Sequence, residues 1–167
     1  KTSRWEAMRW KSSHPTHTKS QRHLTTMTLL EQAIALAVQA HRGQTDKAGQ
    51  PYILHPLRLM LSLRSEDEQI VAVLHDVVED TNLTLDALRQ HGFPEHLLTA
   101  IGLLSKQPGD NYEAFIDRLS GNPLAVRVKL ADLADNMNLK RLAQVGDKEL
   151  ARLQRYHAAW LKLSKLV

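Results

Sequence analysis

Cysteine is absent from this chain, which excludes disulfides and thiolate-bound metals. Long apolar runs are absent too: none approaches the roughly 18 residues needed to cross a bilayer. No charged-then-apolar leader of the secretory kind opens the sequence. Nor is there an alternating, β-branched run bounded by hairpin turns, so strands are not expected. What remains is a polar chain of 167 residues with 43% hydrophobic content, enough for one domain with a sizeable core. A cytoplasmic setting with no membrane partner is the expectation.

The net charge of +4 is unevenly placed. Residues 1–26 carry Lys1, Arg4, Arg9, Lys11, Lys19 and Arg22 against Glu6 alone, a net of +5, so residues 27–167 are close to neutral. A basic tail gives only sequence-blind attraction to phosphate, and no specific nucleic-acid partner is expected. The tail also lacks patterned apolar residues and is expected to be disordered, or an extension ahead of a natural start at Met27. Trp5 and Trp10 are the residues through which it could instead dock. Its deletion is expected to leave stability and turnover unchanged.

From Met27 onward the periodicity is helical. Thr28 with Glu31, and Ser65 with Glu68, have the capping-box form. Gly43 and Gly49 bracket a loop, and a helix is expected over 51–64. Thr84 opens a short helix closed by Gly92, and Pro94 stands at the first turn of the next. Asn111 and Asn122 begin two more, the second expected to run through Leu142, and a last helix covers 148–166. The fold expected is all-α, a bundle of about eight helices over 27–167 with no sheet.

The most informative residues are acids and histidines spread over this frame: His55, His75, Asp76, Glu79, Asp80 and Asp132. Two imidazoles and two carboxylates, His55, His75, Asp76 and Asp132, make a mixed nitrogen and oxygen set that suits one divalent ion such as Mn²⁺. His75 with Glu79, and Asp76 with Asp80, are spaced four apart, so each pair stacks on nearly one helix face. Glu79 and Asp80 would then lie one turn beyond the ligands, where a general base is useful. A bound divalent ion would offset the cost of burying carboxylates and lower the pKa of a bound water toward neutrality. Metal-dependent phosphohydrolysis is the chemistry this set points to. Taken singly, each residue has an ordinary explanation: a histidine on an apolar helix is usually a core residue, and Asp132 could simply pair with Lys129.

Three strings together, AHRGQTDKAGQPYILHP, VAVLHDVVEDTNLTLDAL and AVRVKLADLADNM, resemble the HD-type hydrolase domain of the (p)ppGpp synthetase/hydrolase family, particularly its stand-alone small alarmone hydrolases. They span most of residues 37–137 in the family's order. The resemblance implies that His55, His75, Asp76 and Asp132 bind Mn²⁺ and that Glu79 and Asp80 activate water. It implies that Lys47 and Asn136 contact the nucleotide, while His41 packs or hydrogen-bonds behind the ligands. The implied reaction removes pyrophosphate from the ribose 3′ position of (p)ppGpp. A purine relative such as (p)ppApp as substrate, or a silent nucleotide-binding helical module, are the alternatives. Oligomeric state is left open.

The chain departs from the family at positions expected to face the nucleotide. Asp46-Lys47 stands where the family often has Arg-Lys. In ADLADNMNL, Leu133, Asp135 and Leu139 replace the Arg, His and Thr of ADRLHNMRT. Asp46 cannot attract phosphate, so Asp46→Arg is expected to lower KM for (p)ppGpp.

Overall fold

The computed structural model describes residues 27–106, 109–142 and 144–167. The expectations for residues 1–26, including docking by Trp5 or Trp10, therefore lie outside the described residues. Among these, eight α-helices occur: α1 Leu29–Ala40, α2 Leu54–Ser62, α3 Glu66–Asp80, α4 Leu85–Gln90, α5 Glu95–Leu104, α6 Tyr112–Leu119, α7 Pro123–Asn136 and α8 Asp147–Leu163. A 3₁₀ turn spans Leu139–Arg141, and the described residues contain no strand, only an isolated bridge between Thr45 and Pro51.

Local chemistry sets the helix starts. Thr28 accepts from the Glu31 amide while Glu31 reaches back to the Thr28 amide at 2.7 Å, and Ser65 and Glu68 repeat the arrangement on α3. Asn111 and Asn122 accept from the Ala114 and Ala125 amides. Helix ends follow longer-range demands. The expected helix over 51–64 is shorter at both ends, because Pro51 belongs to the bridge with Thr45 and Leu63 is extended. α7 stops at Asn136 rather than Leu142, since Asn138 accepts from the Lys140 amide and starts the 3₁₀ turn instead.

α3 is the centre of the bundle, packed on α1, α2, α5 and α7. Ile70, Val71, Ala72, Val73 and Leu74 are all at most 1% exposed, which is why this stretch is apolar all round rather than on one stripe. The helix ends at Thr81, whose hydroxyl donates to the Val77 carbonyl at 2.6 Å and accepts from the Leu83 amide. His75 and Asp76 thereby fall on the second-to-last turn, and Glu79 and Asp80 on the last. The C-terminal end of a helix disfavours negative charge by about 0.3–1 kcal/mol per group. Three carboxylates gathered there need compensation from cations.

Glu68 ties α3 to α7 by pairing with Arg127. Burial pushes its carboxyl up, but the Ser65 and Arg64 amides and Arg127 outweigh this and hold its pKa below the usual value. A lowered pKa adds stability that is present at neutral pH and lost as pH falls through the carboxylate range, about 4 and below. Glu68→Ala should cost about 1–2 kcal/mol, as expected for losing a cap together with a half-exposed ion pair. Urea unfolding at pH 7 should show the loss, and the gap from wild type should shrink at pH 3.

Candidate active site

His55 enters the site from the first turn of α2. The turn is pinned from below: the Tyr52 amide donates to the Gln44 carbonyl at 2.9 Å, and the His55 amide to the Tyr52 carbonyl. His75 and Asp76 come from α3 and Asp132 from α7, so three helices converge. His55, His75 and Asp132 are each no more than 5% exposed.

The ring nitrogens are sorted by their partners. His75 Nδ1 donates to the Ala72 carbonyl at 2.8 Å, which leaves Nε2 as the lone-pair nitrogen. That Nε2 is buried without a hydrogen-bond partner and stands 3.0 Å from Asp76 Oδ1. His55 Nδ1 donates to Asp135 Oδ2 at 2.7 Å, turning Nε2 toward Asp132 Oδ1 at 3.3 Å and Asp76 Oδ2 at 3.6 Å. Imidazole nitrogens and carboxylate oxygens packed this closely in a buried space need a cation between them, a proton or a metal ion. His55, His75 and Asp76 offer ligand atoms within 4.8 Å of one another, a donor set that fits a divalent metal ion. Asp132 lies beside this trio. Lys129 Nζ donates to its Oδ2 at 2.7 Å, and Asn136 donates to its Oδ1.

The electrostatics agree with a cation site. Burial works to lower the pKa of His55, yet hydrogen bonds to Asp132 and Asp135 raise it to about 9. Burial opposes ionisation of Asp76, but His75 beside it holds the carboxyl down at about 2. Asp132 is likewise lowered against burial, chiefly by Lys129, whose own pKa is raised by that pairing despite its burial. Asp80 moves the other way: burial and the neighbouring Asp76 charge raise it.

Glu79 and Asp80 point to different neighbours. Glu79 Oε2 accepts from the Lys106 amide at 3.1 Å, across the cleft toward the end of α5. Asp80 Oδ2 lies 3.3 Å from the Tyr52 hydroxyl, which also donates to Asp76 Oδ2 at 2.6 Å. All the ligand candidates and both acids line one cavity of about 360 Å³, whose cationic residues are Lys47, Lys129, Arg141 and Arg152. Two metal-site carboxylates at its floor and four cations in its lining suit an anionic ligand that also meets a metal.

The remaining sequence candidates fall in several places. Lys47 is exposed on the cleft wall, and Asn136 reaches the cavity while bonded to Asp132. His41 is buried behind Tyr52, with ring centres 4.9 Å apart and Nδ1 bonded to Gln44 Oε1 at 2.8 Å. Asp46 is not a free carboxylate facing a ligand. Its Oδ2 accepts from Arg141 at 2.8 Å, and its Oδ1 accepts the Ala48 and Gln50 amides. Leu133, expected to face the nucleotide, is 1% exposed in the core. Asp135 is turned to His55, Arg58 and Arg141 instead of the cavity centre.

Sequence reasoning missed Tyr52, Arg141 and the role of Asp135, which it placed facing the nucleotide rather than His55. Tyr52 had a usable signal, since it stands three residues before His55 at the turn into α2. The other two are recognised only once α2, α7 and the loop are brought together.

An all-helical domain with a histidine–aspartate centre at the C-terminal end of its middle helix is an HD-type fold. No protein-family model matches the chain. A solved structure of a metazoan SpoT orthologue, described as hydrolysing ppGpp and acting in starvation responses, superposes with a TM-score of 0.68. The overlap covers 84% of this chain and 94% of that one at 18% identity, a likeness of fold. Among curated proteins, the guanosine-3′,5′-bis(diphosphate) 3′-pyrophosphohydrolase of Aquifex aeolicus is 31% identical over 120 residues. That match takes in 65% of this chain and 17% of the relative. A probable GTP pyrophosphokinase of Mycobacterium leprae is 32% identical over 127 residues, 69% of this chain and 16% of that protein. The bifunctional (p)ppGpp synthase/hydrolase SpoT of Escherichia coli K12 is 30% identical over 122 residues, covering 65% of this chain and 17% of SpoT. The chain thus spans about a sixth of the length of these relatives. Over the matched residues it is similar to one segment of these (p)ppGpp synthetase/hydrolases.

Proposed function

We propose that this domain hydrolyses the 3′-diphosphate of a (p)ppGpp-like nucleotide, releasing pyrophosphate and leaving GDP or GTP, with one Mn²⁺ held by His55, His75, Asp76 and Asp132. The observation that carries the reading is the buried, unpartnered Nε2 of His75 facing Asp76 and His55 at the floor of a cation-lined cleft. The activities named for the Aquifex and Escherichia relatives support it. A nucleotide substrate also fits a cytoplasmic setting.

When bound, a divalent ion would polarise a phosphoryl oxygen and supply a nucleophile from water at neutral pH. The chain's own residues do the rest. Glu79 or Asp80 accepts the proton of the attacking water, the raised Asp80 being suited to hold it. Tyr52 fixes the Asp76 carboxylate through its 2.6 Å hydrogen bond. Lys47 and Arg152 set positive charge along the cleft where phosphates would lie, and Asn136 adds an amide at its wall.

Removing bound metal with a chelator should abolish turnover of (p)ppGpp, and Mn²⁺ should restore it. A nucleotide panel including (p)ppApp run alongside fixes the base. Undiminished hydrolysis after complete metal removal would defeat the proposal.

The pairing of Asp46 reverses one sequence expectation. Asp46→Arg would place a second guanidinium against Arg141 and leave the Ala48 and Gln50 amides without their shared acceptor. KM for (p)ppGpp should therefore rise several-fold, as steady-state kinetics would show.

A further inference from the structure

Asp135 stands beside the metal site and is contacted by one imidazole and two guanidinium groups. Its Oδ2 accepts from His55 Nδ1 at 2.7 Å. Arg58 donates Nε to Oδ1 at 2.7 Å and Nη2 to Oδ2 at 3.0 Å, a two-pronged pair. Arg141 donates to the same Oδ2 and, through Nη2, to Asp46 Oδ2 at 2.8 Å. Asp46 Oδ1 in turn accepts the amides of Ala48 and Gln50, closing the loop that carries Lys47 into the cleft.

An unbroken chain of contacts therefore runs from the metal-facing imidazole of His55 through Asp135 and Arg141 to the Lys47 loop. A carboxylate on the far nitrogen of a ligating histidine fixes its tautomer and ring angle, and raises the basicity of the nitrogen that faces the metal. Arg58 and Arg141 hold that carboxylate in place from the other side. Arg141 also supplies a guanidinium to Asp46 in the loop from a position 95 residues away in sequence.

We propose that Asp135 is a positioning residue that aims His55 Nε2 at the metal and, through Arg141 and Asp46, locks the Lys47 loop to the same framework. The proposal rests on the divalent centre proposed above, but not on the nucleotide or the reaction.

The test is Mn²⁺ binding to the full chain by calorimetry, well below the melting temperature of each variant, with hydrogen exchange over residues 44–50. Asp135→Ala should weaken Mn²⁺ binding by about 10–100-fold. Asp135→Asn, which keeps an acceptor for His55 without the charge, should recover part of that loss. Arg141→Ala should change Mn²⁺ affinity only a few-fold while raising exchange at the Ala48 and Gln50 amides. If wild type binds Mn²⁺ and Asp135→Ala binds it equally, the positioning role is overturned. Unchanged exchange in Arg141→Ala overturns the loop coupling. If wild type binds no Mn²⁺, it is the metal reading that fails, and the exchange result still decides the loop.

Discussion

Asp76→Asn is expected to lose the divalent ion, with affinity falling by more than the roughly 10–100-fold typical of removing a residue that only supports a ligand. Asp76 is the carboxylate of the converging trio and is held ionised by His75. Asparagine has nearly the same volume and can still accept the Tyr52 hydroxyl, so the end of α3 should stay in place. What disappears is the negative charge that lies 3.0 Å from one imidazole and 3.6 Å from the other. Turnover should go with the metal. Elemental analysis after gel filtration is the check, and full occupancy in the folded variant would remove Asp76 from the ligand set.

Glu79→Gln should separate chemistry from metal binding. Glu79 lies outside the converging trio and spends Oε2 on the Lys106 amide. Glutamine keeps an acceptor for that amide but cannot take a proton. Metal content should be unchanged while kcat falls by about 10²–10⁴-fold, the range for loss of a general base. Loss of metal together with rate would make Glu79 a ligand, and an unchanged rate would move the base role to Asp80.

Most of the helical frame was readable because its signals are local. A Thr28–Glu31 or Ser65–Glu68 box needs only four residues to declare a helix start, and both are formed. The His75, Asp76, Glu79 and Asp80 stripe was readable for the same reason: it lies on one helix, where spacing dictates geometry. Helix ends depended on distant partners, as with Pro51 in its bridge to Thr45. So did the surroundings of the metal site. Asp135 sits in a string expected to face the nucleotide, yet its partners His55 and Arg58 lie 80 and 77 residues away. Asp46 likewise reads in sequence as a bare negative charge beside the nucleotide, whereas Arg141, 95 residues away, pairs with it. Leu133 sits on α7 next to Asp132, and only the packing of the bundle reveals that it faces the core.

The central claim is that this domain cleaves a nucleotide 3′-diphosphate with a metal ion held by its histidines and aspartates. Product analysis of the Mn²⁺-loaded protein incubated with (p)ppGpp tests it most directly. Chromatography should show pyrophosphate and GDP or GTP appearing in equal amounts, with the 5′ phosphates intact. A metal-loaded protein that leaves (p)ppGpp untouched, or that releases single phosphates from the 5′ end, would contradict the account.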